Sequence, residues 1–259
     1  THYSQWVDIE DDERQALARE MLVEHVLLLG SKTFSHMLNA IEKFMPALQQ
    51  FGDTPAAKLQ IARTVEDFWL RNPQFCAITI DKLVNYRVID PVTVVEMLFD
   101  PSHAGGWGSF HLWEILRNTI TKVNMRVVQL QTRLAAARVA ADAAAEAAAD
   151  AMAADGPDAP EQAPAPSASE TVEHVEAILA QMEREQKDVI VLTARHFVQL
   201  LASADGLDRA WLLGRFKEFM RTYRAQVAAN ATELESQVFT GAAGPEARQI
   251  FDATRLLAA

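Results

Sequence analysis

Very little in this sequence stiffens or interrupts a chain. A single cysteine, Cys76, stands among 259 residues, which rules out an internal disulfide framework and suits a reducing compartment. Glycine and proline number 10 each, and many of them fall in three places, 101–108, 156–166 and 241–245. No apolar run approaches the roughly 20 residues that a membrane-spanning helix requires. The amino-terminal stretch is polar and acidic, unlike a secretory leader. Positive charge is scarce too: 24 Lys and Arg stand against 35 Asp and Glu, a net charge of −11. A surface of that sign repels phosphate backbone, so nucleic-acid binding is not expected as a primary role.

Reactive constellations are also missing. The seven histidines, His2, His25, His36, His103, His111, His174 and His196, include no i, i+4 pair with a suitable third ligand for a metal. His111 and Glu114 lie three apart on a helical pattern and read as a helix surface or core edge. Cys76, on an apolar helix with no nearby His, reads as a buried thiol. Gly105-Gly106-Trp107-Gly108 lacks the preceding strand and the spacing of a phosphate-cradling loop, and no Ser sits in a nucleophile elbow. Arg117, Lys122, Arg126 and Arg133 make one helix start locally basic and read as a solvated flank. Asn230-Ala231-Thr232 matches a glycosylation triplet inside a helical pattern without a secretory signal. The expectation is therefore no catalytic, cofactor-binding or metal-binding residue, no cofactor, and no small-molecule substrate or membrane partner. An enzymatic reading requires a deep polar pocket holding strongly perturbed ionisable groups.

What is present is helix-forming. Hydrophobic residues make up 49% of the chain, too many for disorder, and Ala, Leu, Glu and Arg dominate between the breaks, an all-α composition. The organising stretch is 109–204. Leu116, Ile120, Val123, Val127, Leu130, Leu134, Ala137 and Ala141 step by fours and threes, a heptad seam. Val172, Val175, Leu179, Met182, Gln186 and Val189 answer it after the Pro- and Ala-rich stretch 155–169. A long coiled-coil hairpin follows, with 155–169 as its protruding tip. Its base is buried: Val189-Ile190-Val191-Leu192 is apolar all round. A first helix of about 46 residues spans roughly 69 Å at about 1.5 Å per residue.

Around the hairpin, shorter helices are expected. Residues 1–20 serve as a linker or lead-in with Trp6 as an anchor, and the helical domain occupies 21–259. From Glu13, the residues Leu17, Met21, Leu22, Val26, Leu28 and Leu29 fit a first helix ended by Gly30. A second, Thr33 to Met45, ends or kinks at Pro46. Asp53-Thr54-Pro55, Asn72-Pro73 and Asp90-Pro91 open three more, each with a capping residue before proline; Leu59, Val65, Trp69 and Leu70 are among the core candidates. Past the hairpin, Asp208 to Phe239 reads as one long helix with Trp211, Phe216, Phe219, Tyr223, Val227 and Leu234 near one face. Glu246 to Leu257 places Ile250, Phe251, Leu256 and Leu257 for packing. The architecture expected is all-α: a HEAT-like α-α superhelix of stacked helical hairpins with one long protruding coiled-coil hairpin.

An ordered set of stretches resembles one family. Gly30-Ser31-Lys32-Thr33-Phe34-Ser35-His36 is followed by Val65-Glu66-Asp67-Phe68-Trp69, then Ile80-Asp81-Lys82-Leu83-Val84 leading to Val88-Ile89-Asp90. Leu112-Trp113-Glu114-Ile115-Leu116-Arg117-Asn118-Thr119-Ile120, Glu185-Gln186-Lys187, Leu234 and Val238-Phe239 complete it. In that order they are similar to the C-terminal third of the large subunit of the nuclear cap-binding complex. The resemblance implies a helical-repeat domain like the middle domain of the initiation scaffold four-gamma, carrying a protruding coiled coil. It implies a non-catalytic scaffold in the nucleus. Its expected partners are a cap-binding small subunit of RNA-recognition fold, adaptor proteins of RNA processing, splicing, export and decay, and capped RNA indirectly. This sequence departs from the family's Lys- and Glu-rich hairpin: residues 134–154 hold 14 Ala in 21 positions. The alternative is a stand-alone helical-repeat interaction module with no cap role.

Overall fold

A computed structural model describes residues 12–103, 107–154, 168–240 and 244–258, and every regular element among them is helical. The chain divides into two compact units, Thr1–Ile120 with Lys187–Ala259, and Thr121–Gln186.

The first unit opens with five helices, α1 (Asp12–Gly30), α2 (Phe34–Phe51), α3 (Pro55–Phe68), α4 (Pro73–Asn85) and α5 (Pro91–Leu98). Local chemistry sets the starts. Thr33, Thr54, Asn72 and Asp90 each accept a bond from the backbone N–H three residues on, satisfying one of the orphan donors of the first turn. In the last three, proline follows the cap, where its missing N–H costs nothing. Asp90 also accepts from Thr93 Oγ1 and from Lys58 Nζ, at 2.8 and 2.9 Å. Burial acts to raise its carboxyl pKa, but these bonds outweigh it and hold the group below its ordinary range. Polar ties fix the stacking: Arg19 Nε donates to the Phe51 carbonyl at 2.8 Å, and Gln60 Nε2 to that of Ala16 at 2.8 Å, joining α1, α2 and α3.

The same unit contains the start of α6 (Phe110–Ala154), the end of α7 (Ala168–Ser203), and α8 (Gly206–Thr222), α9 (Arg224–Ala229), α10 (Ala231–Gln237) and α11 (Pro245–Ala258). One continuous apolar core runs through all of these elements. Its largest fully buried side chains include Phe197, Phe216, Phe239 and Phe251. Val189, Ile190 and Val191 are buried, as the all-round apolar run requires.

The second unit is a pair of helical segments, 121–154 of α6 and 168–186 of α7. Val127, Leu134, Val175, Leu179 and Met182 form its core, with Leu130 and Val172 packed against it. The heptad seams are therefore the buried faces. Gln186 Nε2 donates to Asn124 Oδ1 at 2.8 Å and Arg138 Nη2 to Glu176 Oε1 at 2.6 Å. Partners that rise along one segment as they fall along the other make the pair antiparallel. With 45 residues, α6 is about 67 Å long at about 1.5 Å per residue. The tip 155–169 lies largely outside the described residues, although α7 already begins at Ala168.

Several expectations change. Helix α1 spans Asp12–Gly30, close to the expected Glu13–Gly30. It buries Ala18, Leu22, Val23, Val26 and Leu27, leaving Leu17, Met21, Leu28 and Leu29 exposed; so many apolar residues fit two helical phases. Helix α1 ends at Gly30, as expected, but without a left-handed backbone there. A Cβ there would lie 2.5 Å from Met37 Cα, so glycine is required by the close approach of α2. Pro46 does not end α2, which continues to bury Leu48 and Phe51. Leu70 follows the end of α3 and is exposed, as are Leu256 and Leu257. The single helix expected over 208–239 is three, broken where Tyr223 and Asn230 leave helical backbone angles. Tyr223 turns inward, its hydroxyl donating to the Arg117 carbonyl at 3.3 Å, and the bends let Val227 and Leu234 reach the core.

Candidate interaction surface

The first unit holds an aromatic cluster where the chain enters α6. Trp113 stacks on Phe197 of α7, ring centroids 5.7 Å apart and planes 10° from parallel. Its indole Nε1 donates to the Trp107 carbonyl at 2.7 Å, so the loop before α6 is pinned by the first turn of the helix it feeds. Phe99, at the end of α5, stacks on His196 at 5.1 Å and meets Phe197 edge-on at 5.0 Å. Rings from three helices thus clamp the base of α6 and α7, and such pairs contribute about 0.5–1.5 kcal/mol each beyond their buried area.

At the outer edge, the Arg215 guanidinium carbon lies 5.8 Å from the Trp113 ring centre and 6.0 Å from that of Trp211. Arg215 Nη1 donates to Glu218 Oε2 at 2.8 Å. Trp211 itself, expected in the core, is 43% exposed; Arg215 and the Gly108 backbone cover part of it, and a Cβ at Gly108 would stand 3.7 Å from its Nε1. Leu207, one turn earlier, and Phe110, two residues beyond Gly108, are exposed as well. The result is a set of exposed large apolar side chains with the cation Arg215 over Trp211, a composition typical of sites that meet other proteins. A depression between Trp113, Leu116, Arg215 and Tyr223 encloses about 40 Å³, room for water but not for a ligand.

A larger cavity of about 370 Å³ is lined by Glu66, Trp69, Cys76, His103, His111 and Leu112 among others. His103 Nε2 pairs with Glu66 Oε1 at 2.7 Å. That bond raises the imidazole pKa against an opposing effect of burial. Burial lowers the pKa of His111 and pushes the Cys76 thiol up to about 12. A thiol held that high carries almost no thiolate near neutrality and is inert as a nucleophile. Elsewhere, His196 Nε2 lies 3.2 Å from Glu96 Oε2. Burial lowers the His196 pKa against the opposing effect of the Glu96 carboxylate. No group of three His, Cys, Asp or Glu among the described residues is disposed to hold a metal. The sequence assigned no catalytic, cofactor or metal residue, so none has to be placed. What spacing did not reveal is the His103–Glu66 pair and the aromatic clamp, whose members are far apart in the chain. Of the basic cluster, Arg117, Arg126 and Arg133 are exposed and Lys122 is half-buried.

Residues 4–231 match the model of a family described as MIF4G like. The chain belongs to the MIF4G-like family. It is also similar to several proteins named nuclear cap-binding protein subunit 1. The one from Xenopus tropicalis is 29% identical over 254 aligned positions, covering 90% of this chain and 31% of that protein. Those from Aedes aegypti and Anopheles gambiae are 26% identical, over 94% and 90% of this chain and 33% and 31% of theirs. The chain spans about a third of the length of these relatives. The resemblance drawn from the ordered motifs is thereby shown, and the helical-repeat architecture with it. The family is a non-catalytic, helical one.

Proposed function

We propose that this chain is a scaffold region of a cap-binding complex large subunit. It supports a small subunit of RNA-recognition fold, which takes the methylated guanosine cap, and presents surfaces to adaptor proteins of RNA processing and export. It touches capped RNA only through the small subunit, and it works in the nucleus. The observation that carries the reading is likeness to cap-binding subunits along 90% or more of the chain. Two features support it. The unit clamped by Trp113 and Phe197 is a rigid platform, and Phe110, Leu207 and Trp211 offer exposed apolar anchors of the kind that dominate protein interfaces. The heptad-packed pair of α6 and α7 is read as the family's coiled coil.

Titration calorimetry of this chain against the small subunit, with and without a methylated cap analogue, tests the proposal. Saturable binding that strengthens with the analogue supports it. Absence of binding by the folded chain refutes it and favours a helical-repeat module without a cap role.

A further inference from the structure

The cavity of about 370 Å³ lies wholly within the first unit, among α3, α4, the turn at 101–103 and the start of α6. Its lining is one-sided in charge. Glu66 and Asp67 contribute carboxylates, and no Lys or Arg is among the lining residues. Burial lowers the His111 pKa, so that imidazole adds no charge near neutrality. His103, whose pKa is raised, offsets at most one of the two carboxylates. It engages Glu66 through Oε1 and leaves Oε2 to other partners. The charge on Glu66 is felt around the cavity: it pushes the Cys76 pKa the same way as burial does, and it opposes burial at His111. A cation is therefore favoured inside, and a phosphate or a carboxylate is disfavoured.

The rest of the lining narrows the kind of cation. Trp69, His103 and His111 contribute rings, and Leu70, Pro73 and Leu112 contribute hydrocarbon. A guanidinium meets carboxylates in bidentate fashion, stacks on aromatic rings and packs its stem on apolar walls. An ammonium is a compact, strongly hydrated charge and gains less from such walls. Trp69 is 8% exposed and its indole N–H has no hydrogen-bond partner. A buried donor of that kind calls for an acceptor, which a backbone carbonyl beside the cation supplies. The volume falls at the low end of the roughly 300–1,000 Å³ of ligand pockets, room for one long side chain and its backbone. We propose that this cavity receives an arginine side chain presented by a segment of a partner protein. Asp67 and Leu70 are exposed and mark the mouth. The inference does not depend on the cap reading.

Nuclear magnetic resonance titration of the isotope-labelled full chain with N-acetyl-arginine amide, at constant ionic strength, tests it. The indole N–H signal of Trp69, assigned with Trp69→Phe, reports on the site. Saturable shifts with a Kd of about 1 mM are expected for so small a probe. N-acetyl-citrulline amide, the uncharged isostere, should give none. Asp67→Lys should weaken binding at least about threefold and leave the thermal midpoint unchanged, because Asp67 is exposed. Free arginine carries its own carboxylate toward Glu66 and Asp67 and should bind more weakly than the blocked form. Equal or tighter binding of free arginine would assign the cavity to a free amino acid and overturn the protein partner. No saturable shift by about 20 mM (~20 times that Kd), equal binding of the citrulline isostere, or indifference to Asp67→Lys overturns the proposal.

Discussion

Trp113 and Trp211 are both tryptophans on apolar helix faces, yet the structure predicts very different costs for removing them. Trp113 is 8% exposed and Trp211 43%. A Trp side chain presents about 200 Å², so at about 25 cal/mol per Å² its burial stabilises by ~4.5 kcal/mol at Trp113 and at most ~3 kcal/mol at Trp211. A compact unfolded state lowers both, by about 10–40%. Trp113→Ala adds a cavity against Phe197 and leaves the Trp107 carbonyl without its donor, a further loss of about 1–3 kcal/mol. The expected cost is therefore about 4–6 kcal/mol for Trp113→Ala and about 1–2 kcal/mol for Trp211→Ala. For a chain of this length the first corresponds to a drop in thermal midpoint of roughly 8–24 °C. Chemical denaturation followed by circular dichroism measures both. Should Trp113→Ala fail to fold, Trp113→Phe keeps the ring stack and loses the indole bond, for about 1–2 kcal/mol. Equal losses at the two positions, or a near-neutral Trp113→Ala, would refute the assignment of one to the clamp and the other to the surface.

Other perturbations separate local causes. Gly30→Ala gains about 1 kcal/mol of helix propensity but drives a methyl to 2.5 Å from Met37 Cα; overpacking of about 1–3 kcal/mol should win, measured as a lower denaturation midpoint. Cys76, buried with its pKa near 12, should resist a maleimide at pH 8 in the native state and react at once in denaturant. The bond to Glu66 raises the His103 pKa, so its contribution is fully present below the unfolded value of about 6.5 and is lost as pH rises through the folded value. Glu66→Gln should accordingly destabilise more at pH 5.5 than at pH 9, and equal effects at the two would contradict the pairing. Replacing 140–168 by a short flexible linker should change stability by less than about 1 kcal/mol, since the apolar contacts of the second unit are made by Val127, Leu134, Val175, Leu179 and Met182; a collapsed transition would show that the excised stretch packs.

The features legible in the sequence were those decided by neighbours. Thr54, Asn72 and Asp90 ahead of proline marked three helix starts, and the alternating steps from Leu116 to Leu134 marked a buried seam. Long-range geometry was not legible. The stretch 208–239 has helix propensity throughout, and only Tyr223 reaching the Arg117 carbonyl shows why it bends. The first helix has apolar residues on most of its surface, so periodicity did not select Val23 and Leu27 over Leu17 and Leu28. Trp211 has the spacing of a core residue and lies at the surface because α8 presents Phe216 and Phe219 inward instead. The clamp of Phe99, Trp113 and Phe197 joins residues from three helices, and nothing in their spacing predicts it.

The central claim is that this chain acts as part of a cap-binding large subunit. The most direct test replaces the corresponding third of a full-length nuclear cap-binding protein subunit 1 with this chain. Assembly with the small subunit and affinity for a methylated cap analogue are then measured. The account predicts a stable heterodimer whose cap affinity stays within about threefold of the parent, under ~1 kcal/mol. A folded chimaera that no longer binds the small subunit, or binds it without supporting cap binding, would contradict it.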